Sequence, residues 1–341
     1  MFSKPLIASA IAAAGLLAAV PAAAQTTLTL SSWVPPQHLL TRAMVEWADE
    51  VEKASSGRIK HTLLPKAVAK PPGTFDAVRD GLADVSFSVD GYTPGRFVLT
   101  RIAEFPQLGE TATTVSVAYE RISRRHFAKA DEHKGVRVLT VFTHGPGEIY
   151  NTKRPIKTLD DLKGLKIRVG GGMINELAKS LGVDALLKPA PQSYEILSTG
   201  VADGVFFPAE SVASFKLEKL VKYATLVPGG LYNTSFAFIM NPDKYNKMSP
   251  ADKKVIDDWS GEKLARLIGK HWDRGDQIGR EALKANNVPT ITADAAFLSA
   301  LNTKIGPLED AWYKLASEKG VDGKKVLAEF RAEIKKVEAG K

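Results

Sequence analysis

Arg168 stands one residue before the end of an apolar-alternating run, Leu165-Lys166-Ile167-Arg168-Val169, and three glycines, Gly170 to Gly172, follow it directly. The alternation predicts a strand. Beyond the glycines, Met173, Leu177 and Leu181 recur at i, i+4 and i+8, which predicts a short helix stopped by Gly182. A strand-to-helix turn of this kind leaves unpaired backbone N–H groups and the positive end of a helix dipole facing a crevice. A guanidinium beside them adds a planar fork that matches a carboxylate, so the stretch reads as an anion seat. Spacing alone also allows a solvated strand-end arginine, because most arginines are solvated and glycine clusters often mark only turns.

Signals for covalent chemistry are weak. His144-Gly145-Pro146-Gly147 has the outline of an esterase oxyanion loop, but no G-x-S-x-G nucleophile elbow accompanies it. Gly170-x-Gly172 lacks the third glycine and the downstream acid of a dinucleotide site. His126, Asp131 and His133 do not have the spacing of a metal-bearing helix, and a chain without cysteine has neither thiol nucleophile nor thiolate ligand. The expectation is no catalysis, no cofactor and no metal. Arg121, Arg124, Arg125, His126 and Lys129 form the one dense basic cluster and read as a solvated helix face; with no aromatic interleaving, no nucleic-acid partner is expected.

The elements that must position Arg168 follow from the rest of the chain. Residues 1–24 have the three-part form of a secretory signal peptide, with cleavage expected after Ala24, which places the mature protein in the periplasm. No later stretch approaches the ~18 consecutive apolar residues of a membrane span. With 341 residues, 44% of them hydrophobic, the chain can bury two cores. Its net charge of +8 suits an anionic small ligand or simple solubility. A strand at Thr27–Ser31, a helix over Leu39–Ser55, a strand at Arg58–Leu64, a short helix over Thr74–Gly81 and a strand at Val85–Val89 give the order β-α-β-α-β of a doubly wound α/β unit. Ligands of such sheets lie outside the carboxyl ends of the strands, where Trp33, His38 and Tyr92 fall. A helix over Thr113–Ala130 and a strand at Val136–Phe142 lead to the arginine stretch and a second α/β unit. That unit ends in Gly204-Val205-Phe206-Phe207-Pro208, and further strands are predicted at Tyr223–Leu226 and Ser235–Met240. A long helical pattern covers Pro250–Ala285, and helices are predicted near Ala295–Ile305, Leu308–Glu318 and Gly323–Glu338.

Specific segments then narrow the reading: LTLSSWVPPQHLL, GLADVSFSVDGYTPGRF followed by EFP, DLKGLKIRV, YEILSTGVADG, KLVKYAT and FIMNPDKYNKMSPADKKVI. In this order they resemble the periplasmic solute-binding subunit of tripartite ATP-independent periplasmic (TRAP) transporters, over nearly the whole mature chain. The resemblance implies an α/β protein of two lobes with a hinge, a long helix spanning both, and an organic acid held between them. Lobe I is then 25–145 plus about 234–272, and lobe II 146–233 plus about 273–341. It also implies that Arg168 grips the ligand carboxylate and that small and large membrane subunits receive the ligand. An alternative is a receptor that presents its ligand to a sensor protein.

Two departures bear on the ligand. Where sialic-acid-binding members carry a second arginine this chain has Glu148, and where they carry an asparagine it has Phe207. A second carboxylate would lack its partner and a polyol would meet an apolar wall, at several kcal/mol for an unpaired buried charge. The expected ligand is a monocarboxylate with an apolar, aromatic body; a 2-oxo acid or C4 dicarboxylate is the alternative. Phe206 or Phe207, Trp33 and Tyr92 are expected around the body, with one of the two neighbouring phenylalanines facing the core because strand neighbours point to opposite faces. His144 or His38 is expected to hydrogen-bond a keto or hydroxyl group, Glu148 to accept from a ring hydroxyl or pair within the protein, and Asn233 completes the candidate set.

Overall fold

The computed structural model describes residues 25–341, so the expected signal peptide lies outside the described residues. The chain lays down β1 (Thr26–Leu30), β2 (Ile59–Leu63), β3 (Val85–Val89) and β4 (Arg137–Thr143), then crosses through residues 144–146 to a second sheet. There it forms β5 (Gly147–Asn151), β6 (Lys166–Val169), β7 (Asp184–Leu187), β8 (Gly204–Pro208) and β9 (Tyr223–Leu226). It returns through residues 227–234 to place β10 (Ser235–Met240) in the first sheet, and crosses a third time along the helix Glu262–Ala285 before β11 (Thr290–Thr292). The strand orders are β2-β1-β3-β10-β4 and β11-β9-β5-β8-β6-β7. Each sheet is mainly parallel with one antiparallel insertion, β10 between β3 and β4 and β5 between β8 and β9.

Central strands β3, β5, β8 and β10 are buried at every position, because helices or neighbouring elements cover both faces, whereas the edge strands β2 and β7 are mostly half-buried or exposed. The first two crossings are tied together. The Gly147 N–H donates to the Tyr232 carbonyl at 2.9 Å and the Leu231 N–H to the Gly147 carbonyl at 2.8 Å.

The third crossing is a rod gripped by both sheets' helices. A Cβ at Gly269 would stand 2.5 Å from Thr113 backbone, and one at Gly279 would stand 1.9 Å from the Ala209 carbonyl oxygen, so glycine permits both contacts. One turn apart on this rod, Asp273 accepts the Ala112 N–H at 2.6 Å and Asp276 accepts the Glu210 N–H at 2.8 Å. Each carboxylate therefore caps the start of a helix belonging to a different sheet. Burial raises the pKa of both, to about 8 for Asp276.

Several elements differ from the sequence reading. The pattern over Pro250–Ala285 is two helices, Pro250–Asp258 and Glu262–Ala285, because Gly261 takes φ 66° and stops continuation. The expected break at Gly306-Pro307 is absent: Ala295–Glu318 runs through Pro307, with Leu301, Ile305 and Trp312 buried on one face. The helix predicted over Thr113–Ala130 is α-helical over Ala112–Ile122 and continues as a wider helical turn over Ser123–Phe127. Strands β5 and β7 carried no distinct signal, being short and set in polar or glycine-rich surroundings. The C-terminal helix Gly323–Glu338 packs on Ala112–Ile122, while Ala295–Glu318 packs on Met173–Ser180. Among the described residues no helix is long and apolar enough to cross a membrane.

Candidate ligand site

The three glycines after Arg168 do form a strand-to-helix turn, but the place expected for a ligand is taken by a carboxyl group of the protein. Glu104, buried at 2% exposure, reaches from the first sheet's side, and its Oε2 accepts the Met173 N–H at 2.7 Å at the start of the helix Met173–Ser180. A Cβ at Gly172 would stand 2.2 Å from that same oxygen. Nearby, a Cβ at Gly171 would lie 2.2 Å from the Gly91 carbonyl oxygen, and Arg101 pairs with Glu176 at 2.5 Å. This turn is thus a seam between the two sheets, and the expected anion seat there is already filled. Desolvation lifts the Glu104 carboxyl to about 7 despite the two N–H donors it accepts.

Arg168 projects into a cavity between the sheets whose lining also includes Gly170, the first glycine of the turn. It is 2% exposed. Its Nε donates to the Lys188 carbonyl at 2.8 Å and its Nη2 to the Tyr92 hydroxyl at 3.3 Å, while the Phe207 ring lies 4.4 Å below the guanidinium carbon. Among the described residues Nη1 donates to no protein atom and no carboxylate comes within 4.0 Å of the guanidinium. A buried cation without a counter-ion is costly unless something else pairs with it. Tyr92 fixes the fork from the opposite side, since its hydroxyl also accepts the Ala190 N–H at 2.9 Å.

Aromatic rings form most of the remaining wall. Phe207 stacks on Phe215 with centroids 5.8 Å apart, Trp33 lies 6.1 Å from Tyr92, and Trp272 approaches both His38 and His144 at 5.9 Å. Tyr232, Thr234 and Phe236 close the side formed by the second crossing. The histidines add no charge. The Nδ1 of His38 accepts the Leu40 N–H at 3.1 Å and so bears no proton, which makes its 3.4 Å approach to Glu210 a contact of a neutral ring. Burial lowers the His38 pKa and depresses His144 to about 4. Arg168 is therefore the single permanent charge in the lining.

Six of the expected residues line this cavity: Arg168, Phe207, Trp33, His38, Tyr92 and His144. Three do not. Phe206 points to the opposite face of β8 into the core, where its carbonyl accepts the Tyr232 hydroxyl at 2.9 Å. Glu148 is buried beside the first crossing, accepting the Val227 N–H at 2.6 Å, and burial holds its carboxyl well above the ordinary range. Asn233 donates to the His144 carbonyl at 3.4 Å and braces the crossing. Sequence reasoning missed Trp272, Phe215, Phe236, Tyr232 and Thr234. Their positions in helices and crossings carry the same pattern as core residues and gave no separate signal.

Residues 30–315 match the family model DctP, bacterial extracellular solute-binding protein family 7. A TRAP periplasmic solute-binding protein from Bordetella bronchiseptica, solved with bound (R)- and (S)-mandelate, superposes with a TM-score of 0.89 at 48% identity, covering 92% of this chain and 99% of that one. One from Rhodoferax ferrireducens, in complex with copurified benzoate, gives a TM-score of 0.85 at 30% identity over 92% and 98%. The outer membrane transporter protein TsaT of Comamonas testosteroni is 33% identical over 325 residues, 94% of this chain and 96% of that protein. By fold, by matched length and by these relatives, the chain belongs to the family 7 extracellular solute-binding proteins, the binding subunits of TRAP transporters.

Proposed function

We propose that this protein captures an aromatic monocarboxylate between its lobes and hands it to the small and large membrane subunits of a TRAP transporter. The observation that carries the reading is Arg168, a buried, counter-ion-free guanidinium as the sole permanent charge in an otherwise aromatic cavity. The carboxylate takes the open side of the fork, each charge-assisted bond contributing about 1.5–3 kcal/mol. The ring lies among Phe207, Phe215, Trp33 and Trp272 in offset or edge contact. A dicarboxylate or a sugar acid finds no second cation and few polar groups, which disfavours that alternative. The relatives solved with mandelate and benzoate support the same class.

Lobe I comprises 25–145 plus about 234–272 and lobe II 146–233 plus about 273–341, with the three crossings as the hinge. Export after cleavage at Ala24 places capture in the periplasm. Catalysis is not part of the reading, and the Ser211 hydroxyl donates to Glu210 at 3.0 Å and is not paired with either cavity histidine. Ligand contacts from both lobes favour the closed form, and that differential shifts the population.

A thermal-shift screen tests the reading. Benzoate, phenylacetate or mandelate at one hundred times its dissociation constant stabilises by about 2.7 kcal/mol, a shift of several degrees. Shifts with succinate, malate or glucuronate and none with the aromatic acids would sink it.

A further inference from the structure

The hydrogen-bond chain behind the cavity fixes what one wall group is able to do. His144 Nδ1 lies 2.5 Å from the Gly145 carbonyl oxygen, an acceptor only, so the ring proton sits on Nδ1. Burial keeps the ring neutral, and its Nε2 is then a lone pair. That lone pair stands 2.9 Å from the Thr234 hydroxyl, which must donate to it. With its hydrogen committed, the Thr234 oxygen offers the cavity lone pairs alone, and no protein N–H or O–H among the described residues donates to it. Turning the hydroxyl to donate to a ligand would leave His144 Nε2 buried without a partner, which is costly.

We propose that Thr234 determines specificity as a fixed acceptor: it selects aromatic acids carrying a hydroxyl whose hydrogen it receives, with His144 as the positioning residue that locks its polarity. This rests on the aromatic-monocarboxylate reading of the cavity. A keto oxygen at the same place sets lone pair against lone pair, so hydroxy acids gain over their parents and keto acids lose.

Calorimetric titration of the full mature protein with two series decides it: mandelate, phenylacetate and benzoylformate, and 3-hydroxybenzoate with benzoate. In at least one series the hydroxy acid binds about tenfold tighter than its unsubstituted parent, and benzoylformate is the weakest of its three. Thr234→Val brings hydroxy acid and parent within about twofold of each other, whereas Thr234→Ser retains the preference. A merely structural role for Thr234 would weaken all five acids alike. A wild type without hydroxyl preference in either series, or a preference that survives Thr234→Val, overturns the inference while leaving the Arg168 reading intact; the wild-type comparison holds even if the variant fails to fold. Wild type binding none of the five acids removes the reading of the cavity and this inference with it.

Discussion

Arg168 is held by two backbone-anchored contacts and one ring, and it is left with an open nitrogen and no counter-ion. Arg168→Ala is expected to cost at least about a hundredfold in affinity for the cognate acid, because two charge-assisted bonds vanish together. Arg168→Lys recovers only part, since a point charge lacks the fork and does not stack on Phe207. Titration calorimetry with benzoate checks both, and an unchanged constant in Arg168→Ala would contradict the assignment. In the sequence a cation, a strand end and a glycine turn single this residue out, but spacing alone also allows a solvated arginine, and the proposed role at a carboxylate comes from the family resemblance. The alternation that sends Phe206 and Phe207 to opposite faces was legible. Glu148 was not, since only the fold shows its carboxylate turned to Val227 and away from the cavity.

Between elements, the decisive contact is the seam where Gly91 meets Gly171. A Cβ at Gly91 would lie 2.9 Å from the backbone of Gly171 and Gly172, and Gly91 has no positive φ that would strain alanine by itself. Gly91→Ala therefore wedges the lobes without deforming either. It is expected to weaken ligand binding by about tenfold or more while the ligand-free melting temperature moves little; equal binding would mean the seam does not form on closure. The triple glycine announced a tight turn in the sequence. What the sequence withheld was the partner, because Glu104 and Gly91 lie about seventy to eighty residues upstream with no pattern linking them to that turn. Helix breaks show the same limit. Gly261 stops a helix that periodicity would continue, and Pro307 fails to stop one whose packing carries through it.

For the molecule as a whole, buried ionisable groups set a pH profile. Glu104 and Asp276 hold their protons up to about 7 and about 8, against ordinary values of 4.5 and 3.8. The stability they contribute is full in acid and is lost as pH rises through those folded values. His144 acts oppositely: held neutral down to about 4 against 6.5 when unfolded, it contributes above pH 6.5 and is lost as pH falls. Above pH 6.5 the histidine is silent, so the melting temperature is expected to fall between pH 6.5 and 8, with Glu104→Gln flattening the slope. A profile flat across that interval in calorimetry would contradict the burial of these carboxyls. The two-lobed plan was legible from strand order and the quoted segments. The three crossings, the capping aspartates and the cavity's full aromatic wall depend on contacts between distant stretches.

The cavity wall holds two of the chain's five tryptophans, Trp33 and Trp272, while Trp47, Trp259 and Trp312 lie outside its lining. An aromatic guest arrives within van der Waals reach of those two indoles and takes the place of water around them. The protein thereby carries its own optical gauge. Emission excited at the indole band changes on capture, the change comes from two known positions, and Trp272→Phe removes one of them while the other three tryptophans supply a constant background.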